Sequence, residues 1–479
     1  MFSLAFSESA LSNQEIVWVS AHAYSAESTP RQACIESGMA IKTMWAGMLN
    51  MTILSSVKIN DTQFQCRMIF HYAPGFEPVV DTDVVTRQGG TCYGFYNAST
   101  GECIAEEEEC ECETLSSVGE QYYPATGLNS YIESDYSSNG GFELKRTYNS
   151  GQRAWKHNYS NSLDITLGEI VLDDGSGVAT VFNRNGDNAV YKTGKKGAMT
   201  KTATGWQFIH RNGDKLNFNN SGDLTRVESS GRLPINVDRS GKILTLTQGS
   251  GFISQLTEDE NGQPVSFSSS DGTNISYAHS AREQITSVTK TSNNVQSVRE
   301  YHYEDSARKH LLTGVTDERG VRVKTWRYDN FGRLTLSKTA ANDSVNQYSY
   351  SLGGVSKTNP SGKVTNYQVA DINGVKRLLS IEGEASLNCP ASQSSCEYGS
   401  NGLLSRRINR SGISTTYQYN NRGFEFSRSM AAGTQISKTT LTEWHPTLPF
   451  PVEITEAGSV TTFDYDSSGR LINKSVQSQ

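Results

Sequence analysis

No stretch of this 479-residue chain approaches the about 18 consecutive apolar residues of a membrane-spanning helix. Charge is sparse as well. Only 19% of residues are Asp, Glu, Lys or Arg, the net charge is −7, and no basic stripe exists to favour nucleic acid. The short motifs of several chemistries are missing too: there is no His-Glu-x-x-His, no phosphate-binding P-loop, no Gly-x-Ser-x-Gly and no dinucleotide fingerprint. The eight histidines have no nucleophile at a motif spacing. These absences exclude the sequence-recognisable hydrolases and nucleotide enzymes. No catalytic, cofactor or metal residue is assigned, and a non-enzymatic protein is expected.

What the chain has is turn chemistry. Gly, Ser, Thr and Asn are plentiful and apolar residues make up 35%, the composition of a turn-rich β protein. Asn-Gly, the strongest short hairpin signal, begins at Asn139, Asn185, Asn212, Asn261, Asn373 and Asn401. A longer unit also recurs. Trp326-Arg-Tyr328-Asp329-Asn-Phe-Gly332-Arg333-Leu334 returns as Phe463-Asp-Tyr465-Asp466-Ser-Ser-Gly469-Arg470-Leu471, with weaker copies around Tyr398 and around Tyr417-Gln-Tyr419-Asn420-Asn-Arg-Gly423. An aromatic-x-aromatic strand places both rings on one face. Asp or Asn then opens a turn, and Gly takes its positive φ. A second turn glycine and a Thr/Val-rich strand precede each copy, as in Gly320–Trp326 and Gly458–Phe463. The module reads turn, strand, turn, strand, and copies must stack because one hairpin buries too little alone.

On these residues the chain resembles the YD (tyrosine-aspartate) repeats of the RHS, or rearrangement hotspot, family of bacteria. The stretch Asp135-Tyr136, Arg146-Thr-Tyr148-Asn149-Ser150 and Trp155-Lys-His157-Asn-Tyr159 is similar to the domain that precedes such repeats, though Arg153-Ala154 stands where a Gly-containing turn is usual. Trp444-His445-Pro446 to Pro449-Phe-Pro451 also matches a segment placed between YD copies. The resemblance covers about residues 122–479 and implies a mainly β fold, a hairpin array winding as an open spiral shell. It also implies a secreted or cell-surface protein whose shell delivers a C-terminal toxin in competition between bacteria, with a toxin domain or separate effector chain as partner and an immunity protein beside it. The Asp-Pro-x-Gly core expected for toxin release is absent, and the chain stops at Gln479. A truncated shell segment without its toxin is therefore expected. The alternative function is a surface module that holds carbohydrate on exposed repeat tyrosines; core packing by those rings is the favoured reading.

The domain expectations follow. Residues 1–12 read as the remnant of a signal peptide, 13–115 as a small Cys-rich α+β module, 116–225 as the β domain before the repeats, and 226–479 as the repeat array. In the first module, Pro30 to Met48 carries a helical apolar face, and Thr52–Ile59 and Gln63–Tyr72 read as strands. The cysteines crowd into the first 112 residues, which favours disulfides in an oxidising compartment. Cys34, Cys66, Cys92, Cys103, Cys389 and Cys396 are the candidates. Cys92 and Cys103 suit a disulfide-closed hairpin, and Cys389 to Cys396 reads as an inserted loop. The acidic run Ala105–Glu113, with Cys110 and Cys112, is read as a solvated linker rather than a metal site, because no matching Cys/His pair follows. His157, between Trp155 and Tyr159, is expected to hydrogen-bond within its own strand surface.

Overall fold

The structure is a computed structural model. It describes residues 17–478 apart from 21, 24–25, 28–29, 45–47, 61, 73–77, 89–94, 98–101, 105–119, 139, 153, 175–178, 194–196, 211–212, 230–231, 250, 341–343, 373–374, 384–392, 401, 410 and 467–470. The expected signal remnant, the acidic run, Cys92, Cys110, Cys112 and Cys389 lie outside the described residues. The fold is mainly β, as expected, with one helix among the described residues.

The N-terminal module is a five-stranded antiparallel sheet in the order Ala26–Glu27, Val17–Ser20, Val79–Gln88, Gln63–Tyr72, Met48–Asn60. The helix Pro30–Met44 lies on one face of it. Pro30 sits in the first turn, where its missing N–H costs nothing, and Lys42 sits in the last turn, where a cation suits the helix dipole. Trp18, Ile35, Met51, Ile53, Phe64, Met68, Phe70 and Val85 form the module's own core. A disulfide joins Cys34 on the helix to Cys66 on the strand Gln63–Tyr72. Farther on, Phe95–Asn97 and Glu102–Ile104 pair as the hairpin read from the sequence, with Tyr96 opposite Cys103.

Three further sheets follow. The first, here called the inner sheet, is Glu120–Tyr123, Leu128–Ser137, Glu143–Asn149 and Ala154–His157 in chain order. The second, the linking sheet, runs from Ser162 to Thr193 in four strands. The third is a single antiparallel sheet of 26 strands from Gly197 to Ser478, every strand pairing with its neighbours in sequence. The border expected at 225/226 falls inside the strand Leu224–Glu228, which has partners on both sides within this long sheet. Among the described residues no helix is long and apolar enough to cross a membrane.

The long sheet is bent around the inner sheet, and the contacts show how. Along the strand Leu128–Ser137, Tyr131 meets Trp326, Glu133 meets Arg299, Asp135 meets Tyr277, and Tyr136 meets Phe252. Five residues of inner strand cover about 17 Å, whereas the six strand spacings from Phe252 to Trp326 would cover about 29 Å if flat. The outer layer must therefore curve around the inner strand that crosses it, in keeping with the twist of all such sheets. One core cluster runs from Tyr131 to Leu404 and binds the inner, linking and long sheets together.

Candidate functional site: the seam between the inner and long sheets

The same five-residue turn recurs along the long sheet. At Asp329 the backbone N–H groups of Phe331 and Arg333 both donate to Oδ1, at 2.9 and 3.0 Å. Gly332 N–H donates to the Asp329 carbonyl at 3.0 Å, with Gly332 at φ 80°, a backbone conformation that costs other residues about 1–2 kcal/mol. Asn219, Asp259, Asp317, Asn359, Asn409 and Asn420 accept the same pair of side-chain bonds in their own turns. Arg333 returns its Nε to Asp329 Oδ2 at 2.8 Å and lies 4.0 Å over the Tyr350 ring.

The signature tyrosines fasten one hairpin to the previous one. The hydroxyl of Tyr328 donates to the Leu312 carbonyl at 2.9 Å, Tyr350 to Leu334 at 2.6 Å, Tyr398 to Leu378 at 2.9 Å and Tyr465 to Pro451 at 2.9 Å. Trp444 Nε1 does the same to Glu425 at 2.8 Å. Tyr328, Tyr419 and Tyr465 are all half-buried, and Tyr328 and Tyr419 pack against the core. Gly423 is at φ 78°, and a Cβ there would meet Tyr191 of the linking sheet at 2.8 Å. Leu334 is fully buried, and its N–H donates to the Gly127 carbonyl at 2.9 Å. Its counterpart Leu471 is 51% exposed, because its strand, Leu471–Ser478, is flanked on one side only. Asp466 is half-buried, while Gly469 and Arg470 lie outside the described residues. Cys396 is buried and disulfide-bonded.

The densest chemistry lies where the two sheets meet. Arg146 is fully buried, its Nε 2.5 Å and Nη2 2.9 Å from the two oxygens of Asp135. Nη2 also donates to the Tyr301 hydroxyl at 2.7 Å, and the Tyr277 hydroxyl donates to Asp135 at 2.8 Å. The guanidinium sits 4.4 Å from the Trp155 ring centre. Burial alone would loosen the Arg146 proton, but the Asp135 carboxylate outweighs it and holds the group charged, well above its ordinary range. Burial and the same carboxylate push Tyr277 well above the usual phenol value. Tyr136 is pushed up to about 12 by burial and by donating its hydroxyl to Asp271.

A second cluster joins His157 to the long sheet. Nδ1 of His157 accepts from Tyr159 N–H at 3.2 Å, which leaves Nε2 to donate to Glu258 at 2.6 Å. The local bond expected of His157 is thus joined by one across the seam, since the inward face of this strand meets the long sheet and not solvent. Arg239 pairs with the other oxygen of Glu258. Burial would raise the Glu258 carboxyl, but the hydrogen bonds from His157 and Arg239 bring it below its ordinary value. The row Leu144, Arg146, Tyr148 shares one strand face, so an arginine between two inward residues was the available sign of a buried ion pair.

Among the described residues, two clefts lie between the inner and long sheets. One, of about 370 Å³, is lined by Thr126, Gly127, Arg333, Tyr350, Gly353 and Lys376; the other, of about 260 Å³, by Lys156, Arg239, Lys242, Glu258, Asp259 and Glu260. The acids of the second are engaged: Glu258 with His157 and Arg239, Glu260 with Lys242, and Asp259 with its turn amides. Asp259 thus closes a hairpin turn. Among the described residues no group of three or more His, Cys, Asp or Glu is placed to hold a metal ion.

Residues 308–345, which contain the Tyr328–Leu334 copy, match the RHS Repeat family. Among solved structures, that of TcdB2-TccC3-TEV is 11% identical with a TM-score of 0.38, over 88% of this chain and 24% of that one. TcdB2-TccC3 without its hypervariable C-terminal region is 11% identical with a TM-score of 0.33, at the same coverage. A porin-like protein from Bacteroides uniformis is 11% identical with a TM-score of 0.13, over 62% of this chain and 92% of that one. The chain spans about a quarter of the length of the first two. No curated protein matches it.

Proposed function

Starting from a chain that is an RHS/YD-repeat protein, we propose that it is a non-enzymatic shell or scaffold segment of a secreted bacterial toxin-delivery protein. It would act in competition between bacteria, with a C-terminal toxin domain or a separate effector chain as its partner and an immunity protein guarding the producer. The observation that carries this reading is the seam. The inner-sheet pair Arg146–Asp135 bonds Tyr301 and Tyr277 of the long sheet, His157 bonds Glu258 and Glu133 bonds Arg299, so these contacts between two layers fasten a curved wall. A reacting group must reach a substrate; Arg146 and His157 are buried to 1% exposure or less.

The second reading, a carbohydrate-holding surface, needs tyrosine faces open to a sugar. The hydroxyls of Tyr328 and Tyr465 are donated to backbone carbonyls, which supports packing over sugar binding. A producing strain with this gene deleted is expected to lose inhibition of a susceptible competitor, and the protein is expected in the extracellular or surface fraction. Undiminished competition by the deletion strain would overturn the delivery reading. Glycan-array binding that falls on Tyr328→Ala at unchanged folding would favour the second.

A further inference from the structure

The helix of the N-terminal module is covered on more sides than its own sheet reaches. Residues 32–38 are all buried, about two turns without an exposed position. Ala33, Cys34 and Ile35 belong to the module's core, and Ser37 donates to Asp83. Glu36 instead meets the rim of the long sheet. Arg282 Nε donates to Glu36 Oε1 at 2.6 Å, and His310 Nε2 lies 3.3 Å from the same oxygen.

The receiving groups are held by contacts of their own within the long sheet and to the inner sheet. Arg282 belongs to the turn Ser280–Gln284, where Ser280 Oγ accepts the N–H of Arg282 at 3.1 Å. The Gln284 amide donates to the Lys309 carbonyl at 2.5 Å and lies 3.4 Å from His310 Nδ1. The His310 carbonyl accepts from the Tyr148 hydroxyl at 3.2 Å. The groups facing Glu36 from the long sheet are the Arg282 guanidinium and the His310 imidazole. On the module's side, Asp83 and His22 flank the helix and are bonded to each other.

We propose that the N-terminal module is a detachable cap, clamped to the rim of the long sheet by Glu36 with Arg282 and His310 as its receivers, and that neutralising this carboxylate releases it as a folded unit. The module has what independent folding needs: a core of its own and the Cys34–Cys66 link. A carboxylate taken out of water is tolerable only with charged and hydrogen-bonded partners. Burial would raise the Glu36 carboxyl, yet the bonds from His310 and Arg282 outweigh it and bring the group down to about 2. With the folded value depressed, the clamp is fully present above the ordinary value of 4.5 and is lost as pH falls from there towards 2.

The test is hydrogen exchange with mass spectrometry on the full chain at pH 8, comparing native protein with Glu36→Gln. Peptides over Ser280–Gln284 and Arg308–Leu311 at the rim are expected to exchange about 100-fold faster, the scale set by breaking a buried pair. Those over Gln32–Gly38 and Met51–Phe70, inside the released unit, are expected to keep their protection. The charge exchange Glu36→Arg with Arg282→Glu is expected to restore slow exchange in both rim segments. Unchanged exchange in Glu36→Gln would overturn the clamp. So would simultaneous opening of Met51–Phe70 that the charge exchange fails to reverse.

Discussion

Replacing Arg146 by methionine removes the charge at the centre of the seam while keeping most of the volume. Asp135 would then keep the Tyr277 hydroxyl but lose both guanidinium bonds, at 2.5 and 2.9 Å, with no route to water. Tyr301 would lose its donor and Trp155 its cation. Removing one partner of a buried pair costs about 3–5 kcal/mol, mostly the penalty of the charge left behind. Arg146→Met is therefore expected to destabilise by about that amount, read as a lower midpoint in urea by tryptophan fluorescence and circular dichroism together. The same reasoning requires a strong non-additivity. Asp135→Leu with Arg146→Met should cost much less than Arg146→Met alone, because no orphan charge remains. If the single variant loses under about 1 kcal/mol, or the double variant loses the sum of both singles, the pair is not the fastener described here.

Other expectations follow from the same contacts. Tyr328→Phe removes one hydroxyl-to-carbonyl bond and should cost about 1 kcal/mol, whereas Tyr328→Ala should cost about 3–5 kcal/mol; equal losses in urea unfolding would refute the pinning role. Glu283 has φ 62° at the turn position that glycine fills elsewhere. Glu283→Gly is therefore expected to stabilise by about 0.5–1 kcal/mol despite losing the Asn261 side-chain bond, and a loss in the same unfolding assay would contradict that. The Glu258 carboxyl has a depressed folded value, so its contribution is complete above the ordinary 4.5 and disappears as pH falls below it. Glu258→Gln should lower stability at pH 7 and flatten the loss below pH 4.5, and an unchanged acid profile would contradict the assignment.

The hairpin array was legible because its instructions are local. Tyr328, Asp329 and Gly332 act within one turn, and the alternation of Thr, Val and aromatic residues is readable over six positions. The Cys34–Cys66 bond joins two of the candidate cysteines, while sequence alone could not say which partners meet. The seam was not legible for the opposite reason. Tyr122 and Tyr350 touch at 3.2 Å across 228 positions, and His157 reaches Glu258 across 101. No local pattern encodes which distant strand will curve over which inner residue. The N-terminal clamp was equally hidden, since Glu36 reads as an ordinary polar helix position until the rim at Arg282 closes over it.

Strictly sequential pairing has a consequence for how such a chain is made. The inner strands emerge from the ribosome or export channel before the wall that will cover them. Tyr131, Arg146 and Trp155 must wait for residues beyond 250 before they are shielded, so the nascent protein passes through a stage with a bare aromatic ridge, prone to association. Each new hairpin then pairs only with the one just laid down, and vectorial growth never has to undo an earlier pairing. Progressive loss from the C-terminal end peels hairpins off in reverse order and leaves every upstream ladder intact.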